Sequence, residues 1–142
     1  MAFGRNSILV KGYECRKELK TDEAITPGHL LERGGTHDVQ KHSTAGGFAV
    51  PMFALENDLV GEDIDDAYAD NEAVQVAYCS PGTEIYAILA DGNTITAGDK
   101  LISAGDGTLT EQSSELDSAV VAVATEAVTT SGATARIIVE VV

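Results

Sequence analysis

The chain has 142 residues, 44% of them hydrophobic, and a mean hydropathy of +0.01. That length suits one domain with a real core, and the balance excludes a wholly disordered chain. Acids outnumber bases 23 to 9, a net charge of −14, so the body repels phosphate backbones and nucleic acid is not expected as a partner. No run of about 18 apolar residues is present, and no membrane partner is expected. Met1–Asn6 leads into only Ile8–Val10, too short an apolar stretch for a secretory signal, so none is expected.

The charge is unevenly spread. Residues 1–41 hold seven bases (Arg5, Lys11, Arg16, Lys17, Lys20, Arg33, Lys41) against six acids, whereas residues 42–142 hold two (Lys100, Arg136) against 17. The first segment is therefore near +1 and the remainder near −15. Cys15 and Cys79 are the only cysteines, and free thiols are expected rather than a disulfide framework.

In chain order, residues 1–24 are mixed in charge and weak in pattern, and read as an N-terminal arm or edge segment. Residues 25–142 read as one β-rich domain. Fourteen glycines punctuate the chain at short intervals with β-branched residues between them, which predicts many short strands and little helix. Candidate strands are Ile8–Val10, Phe48–Leu55, Val74–Tyr78, Glu84–Leu89, Lys100–Ser103, Ser118–Thr125 and Ala135–Val142. In the last, Ile137, Val139 and Val141 alternate with Arg136, Ile138 and Glu140, as a half-buried strand requires. The alanines of Leu116–Val128 favour helix, but Val121–Thr125 and the turn Thr130–Ala133 favour a strand in a hairpin, the reading taken here. Gly34–Thr36 and Ser43–Gly47 bracket a polar stretch expected to be an exposed, mobile loop. Glu62–Glu72 reads as loop or a short helical turn.

Residues 81–109 alternate strand and turn three times. Pro81-Gly82 fits a type II turn, Asp91-Gly92 is a turn pair, Ala97-Gly98-Asp99 reverses the chain into Leu101-Ile102, and Ser103–Gly107 closes the piece. Three tight turns in so short a span predict a twisted module such as a small β-barrel, β-tulip or β-clip.

The order of these blocks carries a resemblance. Pro81-Gly82-Thr83-Glu84-Ile85-Tyr86-Ala87-Ile88-Leu89, then Asp91-Gly92-Asn93-Thr94-Ile95, Gly98-Asp99-Lys100-Leu101 and Ser103-Ala104-Gly105-Asp106-Gly107-Thr108-Leu109 resemble capsid decoration (cement) proteins of tailed bacteriophages and archaeal tailed viruses. Ile25–Glu32, Ala54–Asn57 with Gly61, and the closing Arg136–Val141 are similar too. The resemblance implies a non-enzymatic virion protein without cofactors. It would be made in the host cytoplasm and carried on the outer surface of the mature capsid. It would act as a homotrimer at three-fold or quasi-three-fold sites, clamping subunits of the major capsid protein. No family motif matches residues 1–24. Their Arg5, Lys11, Arg16, Lys17 and Lys20 are candidates for contact with an acidic shell surface, on charge alone. The alternative is a small β-barrel binding or carrier module within a larger assembly, biotinyl- or lipoyl-like or a surface-recognition domain. Lys100 would be the modified lysine, although the flanking residues of such a lysine are absent and an ordinary edge-strand lysine is expected.

Other groupings point to no site. Glu62, Asp63, Asp65, Asp66, Asp70 and Glu72 lack the ligand spacing and glycine of a calcium loop and read as a solvated acidic loop. His29, His37 and His42 are eight and five residues apart, which matches no zinc signature. The glycine pairs are not followed by the Lys-Ser/Thr of a phosphate loop, and the seven aromatic residues form no stacking platform.

The acid excess, with only five lysines, predicts adaptation to high salt. The melting temperature should rise from dilute to molar salt as the screening length shrinks to about 3 Å. A flat or falling profile would show that self-repulsion does not limit this fold.

Overall fold

The computed structural model describes residues 6–112 and 119–142, and the described chain is mainly β. In chain order the strands are β1 (Leu9–Lys11), β2 (Glu14–Lys20), β3 (Leu31–Arg33), β4 (Val39–Lys41), β5 (Met52–Ala54), β6 (Ala73–Cys79), β7 (Glu84–Leu89), β8 (Thr94–Ile95), β9 (Lys100–Ser103), β10 (Leu109–Glu111), β11 (Ala122–Ala124), β12 (Val128–Thr129) and β13 (Ala135–Val141). The helical content of the described residues is one 3-10 turn, Asp58–Val60.

Five of these strands close into a barrel, in the order β7-β10-β9-β11-β13 and back to β7. The closing ladder is the longest of the barrel: β13 and β7 run antiparallel from Ala135↔Leu89 to Glu140↔Glu84. The alternation in β13 explains why. Ile137, Val139 and Val141 are buried and meet Ile85, Ala87, Leu89, Leu101, Leu109 and Ala122 in one core, while Glu140 stays exposed. The contact of β10 with β7 is parallel, through Leu109↔Leu89, and β1 meets β7 at Leu9↔Ile85.

A second sheet, β2-β6-β5, lies against the barrel. Its two faces serve two cores, because alternate residues point opposite ways. Phe53, Ala77 and Cys79 join the barrel core. Met52, Ala54, Val74 and Val76 join Ile25, Leu31, Val39 and Tyr68 in the other. Strand β6 is accordingly apolar at nearly every position, as a strand covered on both sides must be.

Several expectations need correction. The polar stretch between Gly34 and Gly47 contains the second arm of a hairpin, β3–β4, with Leu31↔Lys41 and Arg33↔Val39 in register. Val39 is fully buried there, a single apolar anchor too short to show periodicity. The turn at Asp91-Gly92 does not fold β8 back on β7; β8 pairs with β12 instead. Buried Asn93 sets that course: its Oδ1 accepts from Thr110 Oγ1 and Glu111 N–H, and its Nδ2 donates to the Ala90 carbonyl. Lys100 is not on an edge, since β9 lies between β10 and β11. The strands expected at Phe48–Leu55 and Ser118–Thr125 shorten to Met52–Ala54 and Ala122–Ala124, and position 118 lies outside the described residues. Within the first 24 residues, β1 borders β7 and β2 borders β6 along its whole length.

Gly12 links β1 to β2 at φ +104°, and a Cβ there would lie 2.8 Å from the Thr83 Cα. Gly82, at φ +90°, has open space instead. Gly82→Ala should cost about 1 kcal/mol, the left-handed backbone penalty alone. Gly12→Ala should cost clearly more, about 2–4 kcal/mol, because backbone must also move. Urea unfolding of both variants checks the difference, and equal costs would refute the close approach.

Candidate binding surface

Strand β2 reads Glu-Cys-Arg-Lys-Glu-Leu-Lys, with charges on both faces. Such a strand buries too little to form by itself, and pairing with β6 over seven register positions, Glu14↔Cys79 to Lys20↔Ala73, holds it. The ladder's phase is set at both ends: Ser80 N–H donates to the Tyr13 carbonyl and Thr21 N–H to the Glu72 carbonyl. Bonding in an antiparallel pair alternates, so the odd residues of β2 bond inward to β6. The backbone of Glu14, Arg16, Glu18 and Lys20 faces outward. At Lys20 that outer side is occupied, because Asp38 N–H donates to its carbonyl and Asp38 Oδ2 accepts from its N–H. The open edge of the second sheet therefore runs from Glu14 to Glu18.

The five basic residues singled out for capsid contact have different positions. Arg5 lies outside the described residues. Lys11 is exposed at the end of β1. Arg16 is committed within the chain, with Nη2 2.6 Å from Asp58 Oδ1 and Nε donating to Gln75 Oε1. Lys17, on the opposite face of β2, holds its ammonium 5.0 Å from the centre of the Tyr78 ring, a cation–π contact. Lys20 is exposed and lies beside the β3–β4 hairpin through Asp38.

Tyr78 also lines a cavity of about 240 Å³ with Glu32, Arg33, His42, Phe48, Val50 and Met52. Phe48 is 81% exposed at its rim. Sequence reasoning missed this hollow because its residues come from β3, β5, β6 and the chain between β4 and β5. Its wall is pinned by His42, whose Nε2 donates to the Phe48 carbonyl at 2.8 Å. A carbonyl only accepts, so Nδ1 is left to accept from Ser103 Oγ, 2.7 Å away. Ser103 Oγ accepts in turn from Gly105 N–H. Ser103 is fully buried, and the pair acts as a strut tying the β4–β5 chain to the barrel. Partial burial of Glu32 opposes its charge, but hydrogen bonds from Ser43 Oγ and Gln40 Nε2 outweigh it and hold the carboxyl below its ordinary value. The hollow thus offers an aromatic and methionine lining with one carboxylate and one guanidinium: the chemistry of a socket for an amphipathic side chain.

The other grouped residues are dispersed by the fold. His37 pairs with Asp22, His42 with Ser103, and His29 Nδ1 accepts from Thr26 N–H. Among the described residues no three His, Cys, Asp or Glu side chains converge to hold a metal ion. In the acidic loop, Asp63 Oδ1 accepts from Asp65 N–H, Asp66 Oδ2 from Asp63 N–H, and Asp65 pairs with Arg136. Cys15 and Cys79 are both free; Cys79 is buried, which pushes its thiol up to about 12. Among the described residues no helix is long and apolar enough to cross a membrane.

Burial, then the Lys41 ammonium, push His29 down to about 4 from 6.5. Between those values the unfolded chain takes up a proton that the folded chain refuses, so stability falls as pH is lowered through that window. In His29→Asn the amide oxygen can still accept from Thr26 but does not titrate. Its melting temperature should fall less between pH 7 and 4.5 than that of the parent, and identical slopes would rule His29 out as the cause.

No family model matches the chain, and no curated protein matches it.

Proposed function

We propose that this protein decorates the outer surface of a mature tailed-virus capsid, seated as a homotrimer at three-fold or quasi-three-fold positions and clamping neighbouring major capsid subunits. The observation that carries the reading is where the few cations stand. Six of the eight described lysines and arginines, Lys11, Arg16, Lys17, Lys20, Arg33 and Lys41, belong to β1, β2 and the β3–β4 hairpin. Arg16 is spent on Asp58, but Arg33 lines the socket rimmed by Phe48, and Lys17 stands over the ring of Tyr78, another of its lining residues. The rest of the chain carries the acid excess, which suits a face turned to solvent. The order of strands and glycine turns from Pro81 to Leu109 supports the same reading.

The mechanism is linkage. A protein that binds the expanded shell and not its separated subunits stabilises the shell by mass action, and several weak contacts through one oligomer add by avidity. The closed barrel lets the clamp act as a rigid body, so little ordering entropy opposes binding.

Co-sedimentation with cognate heads tests this. Expanded heads should retain the protein and unexpanded heads should not. The double variant Lys17→Glu/Arg33→Glu should bind about ten-fold more weakly, the scale of two reversed charges at an interface. Equal retention on both head forms, or retention on neither, would overturn the reading.

A further inference from the structure

The open edge of β2 has a charge order that reads the same way in a second copy. We infer that two copies of this chain pair antiparallel through β2, about a two-fold axis at Lys17. In that register Arg16 faces the second copy's Glu18, Glu14 faces its Lys20, and Cys15 faces its Leu19. Every charged pair is of opposite sign except Lys17 with itself. Each Lys17 ammonium is already drawn over its own Tyr78 ring, away from the axis.

The backbone allows the same register. Arg16 and Glu18 are outward-facing positions, so each can exchange both its hydrogen bonds with the other's counterpart, about four bonds in all. Asp38 occupies the outer side of Lys20, which confines backbone pairing to this short stretch and leaves Lys20 to meet Glu14 by side chain. The side chains are in place as well. Glu18 accepts from Gln75 Nε2, Gln75 accepts from Arg16 Nε, and Arg16 reaches Asp58. An incoming carboxylate would extend that row across the axis.

Neighbouring registers are disfavoured by the same residues. Centring the axis on Arg16 sets Arg16 against itself and Glu14 against Glu18. Centring it on Glu18 sets Glu18 against itself and Arg16 against Lys20. Like charges directly opposite are destabilising, so the edge selects one partner strand, a copy of itself, in one alignment. This extends the usual use of charge on an edge, which is to block pairing altogether. The inference shares β2 and Lys17 with the capsid reading, but it engages the backbone edge of the strand and its test needs no capsid. A two-fold contact closes at two copies, whereas a three-fold one closes at three; on a shell the pairing would join one trimer to the next.

A disulfide trap tests it without capsids. In the full chain carrying Cys15→Ser and Lys17→Cys, the two new thiols would sit in a non-hydrogen-bonded pair with Cα atoms about 4.5 Å apart, inside the range a disulfide spans. Under mild oxidation, linked dimer should form at least about ten-fold faster than in the parent chain, whose exposed thiol is Cys15. Adding Glu18→Lys sets a lysine against Arg16 and should slow linkage by about ten-fold, with the melting temperature showing that the variant remains folded. Linkage at the parent's rate, faster linkage through Cys15 in the parent, or indifference to Glu18→Lys in a folded variant would each overturn the pairing.

Discussion

The ladder between β2 and β6 is the contact on which the positions of the exposed charges depend. Strand β2 has five charged residues in seven and a single half-buried apolar one, Leu19, so hydrophobic burial alone cannot shape it. Its course is imposed by backbone hydrogen bonds to β6, a strand whose alternate side chains enter two different cores. Val74 and Val76 point one way, Ala77 and Cys79 the other, and a one-residue slip of β6 would exchange both sets. The register of β6 is thereby fixed, and with it the register of β2. That is how a row of exposed charges acquires defined positions: Lys17 beside Tyr78, Arg16 beside Asp58, and an open backbone edge between Glu14 and Glu18.

Buried polar groups do for the loops what packing does for the strands. Asn93 satisfies backbone groups on both sides of β8 and β10. Tyr68, 2% exposed, donates its hydroxyl to the Leu55 carbonyl, and burial pushes it up to about 12. Arg136 leaves β13 to donate to the carbonyls of Pro27 and Ile64. Apart from Asn93 with Ala90, these ties join residues far apart in the chain, and all are buried or part-buried, where an unmade hydrogen bond costs about 1–3 kcal/mol. Such ties let a chain with short strands and many turns hold the socket around Phe48 and Met52 in one shape.

The acidity of the chain has a spatial counterpart. Acids are spread over turns and loops, often capping them: Asp106 takes up the Thr108 hydroxyl and N–H, which together outweigh its partial burial and hold it below the ordinary carboxylate value. Cations are gathered on the β1–β2 edge and the neighbouring hairpin. Glu14, Glu18, Glu32 and Asp38 stand among those cations, so that side is mixed in sign where the rest of the chain is acidic, and the proposed pairing of β2 with a second copy draws on that mixed order.

The strands that carry their own apolar alternation were legible from the amino-acid sequence: Glu84–Leu89, Lys100–Ser103 and the final strand from Ala135 all lie where their patterns place them, and Gly82 and Gly92 take the positive φ that their turns require. Strands without such a pattern were not legible. β2 has five charged residues and a single half-buried apolar one, Leu19, β3 and β4 show one buried residue each, and β8 and β12 have two residues apiece. The same division holds for the surface. The excess of bases near the start is a property of composition, visible in any conformation. Which of those bases are free, which face each takes, and the hollow beside Lys17 depend on contacts between residues dozens of positions apart. Arg16 with Asp58, and His42 with Ser103, are such contacts. Local pattern decides whether a segment can be a strand; only the closing of the barrel and the stacking of the second sheet decide which strands meet, and therefore which charges are left for another molecule.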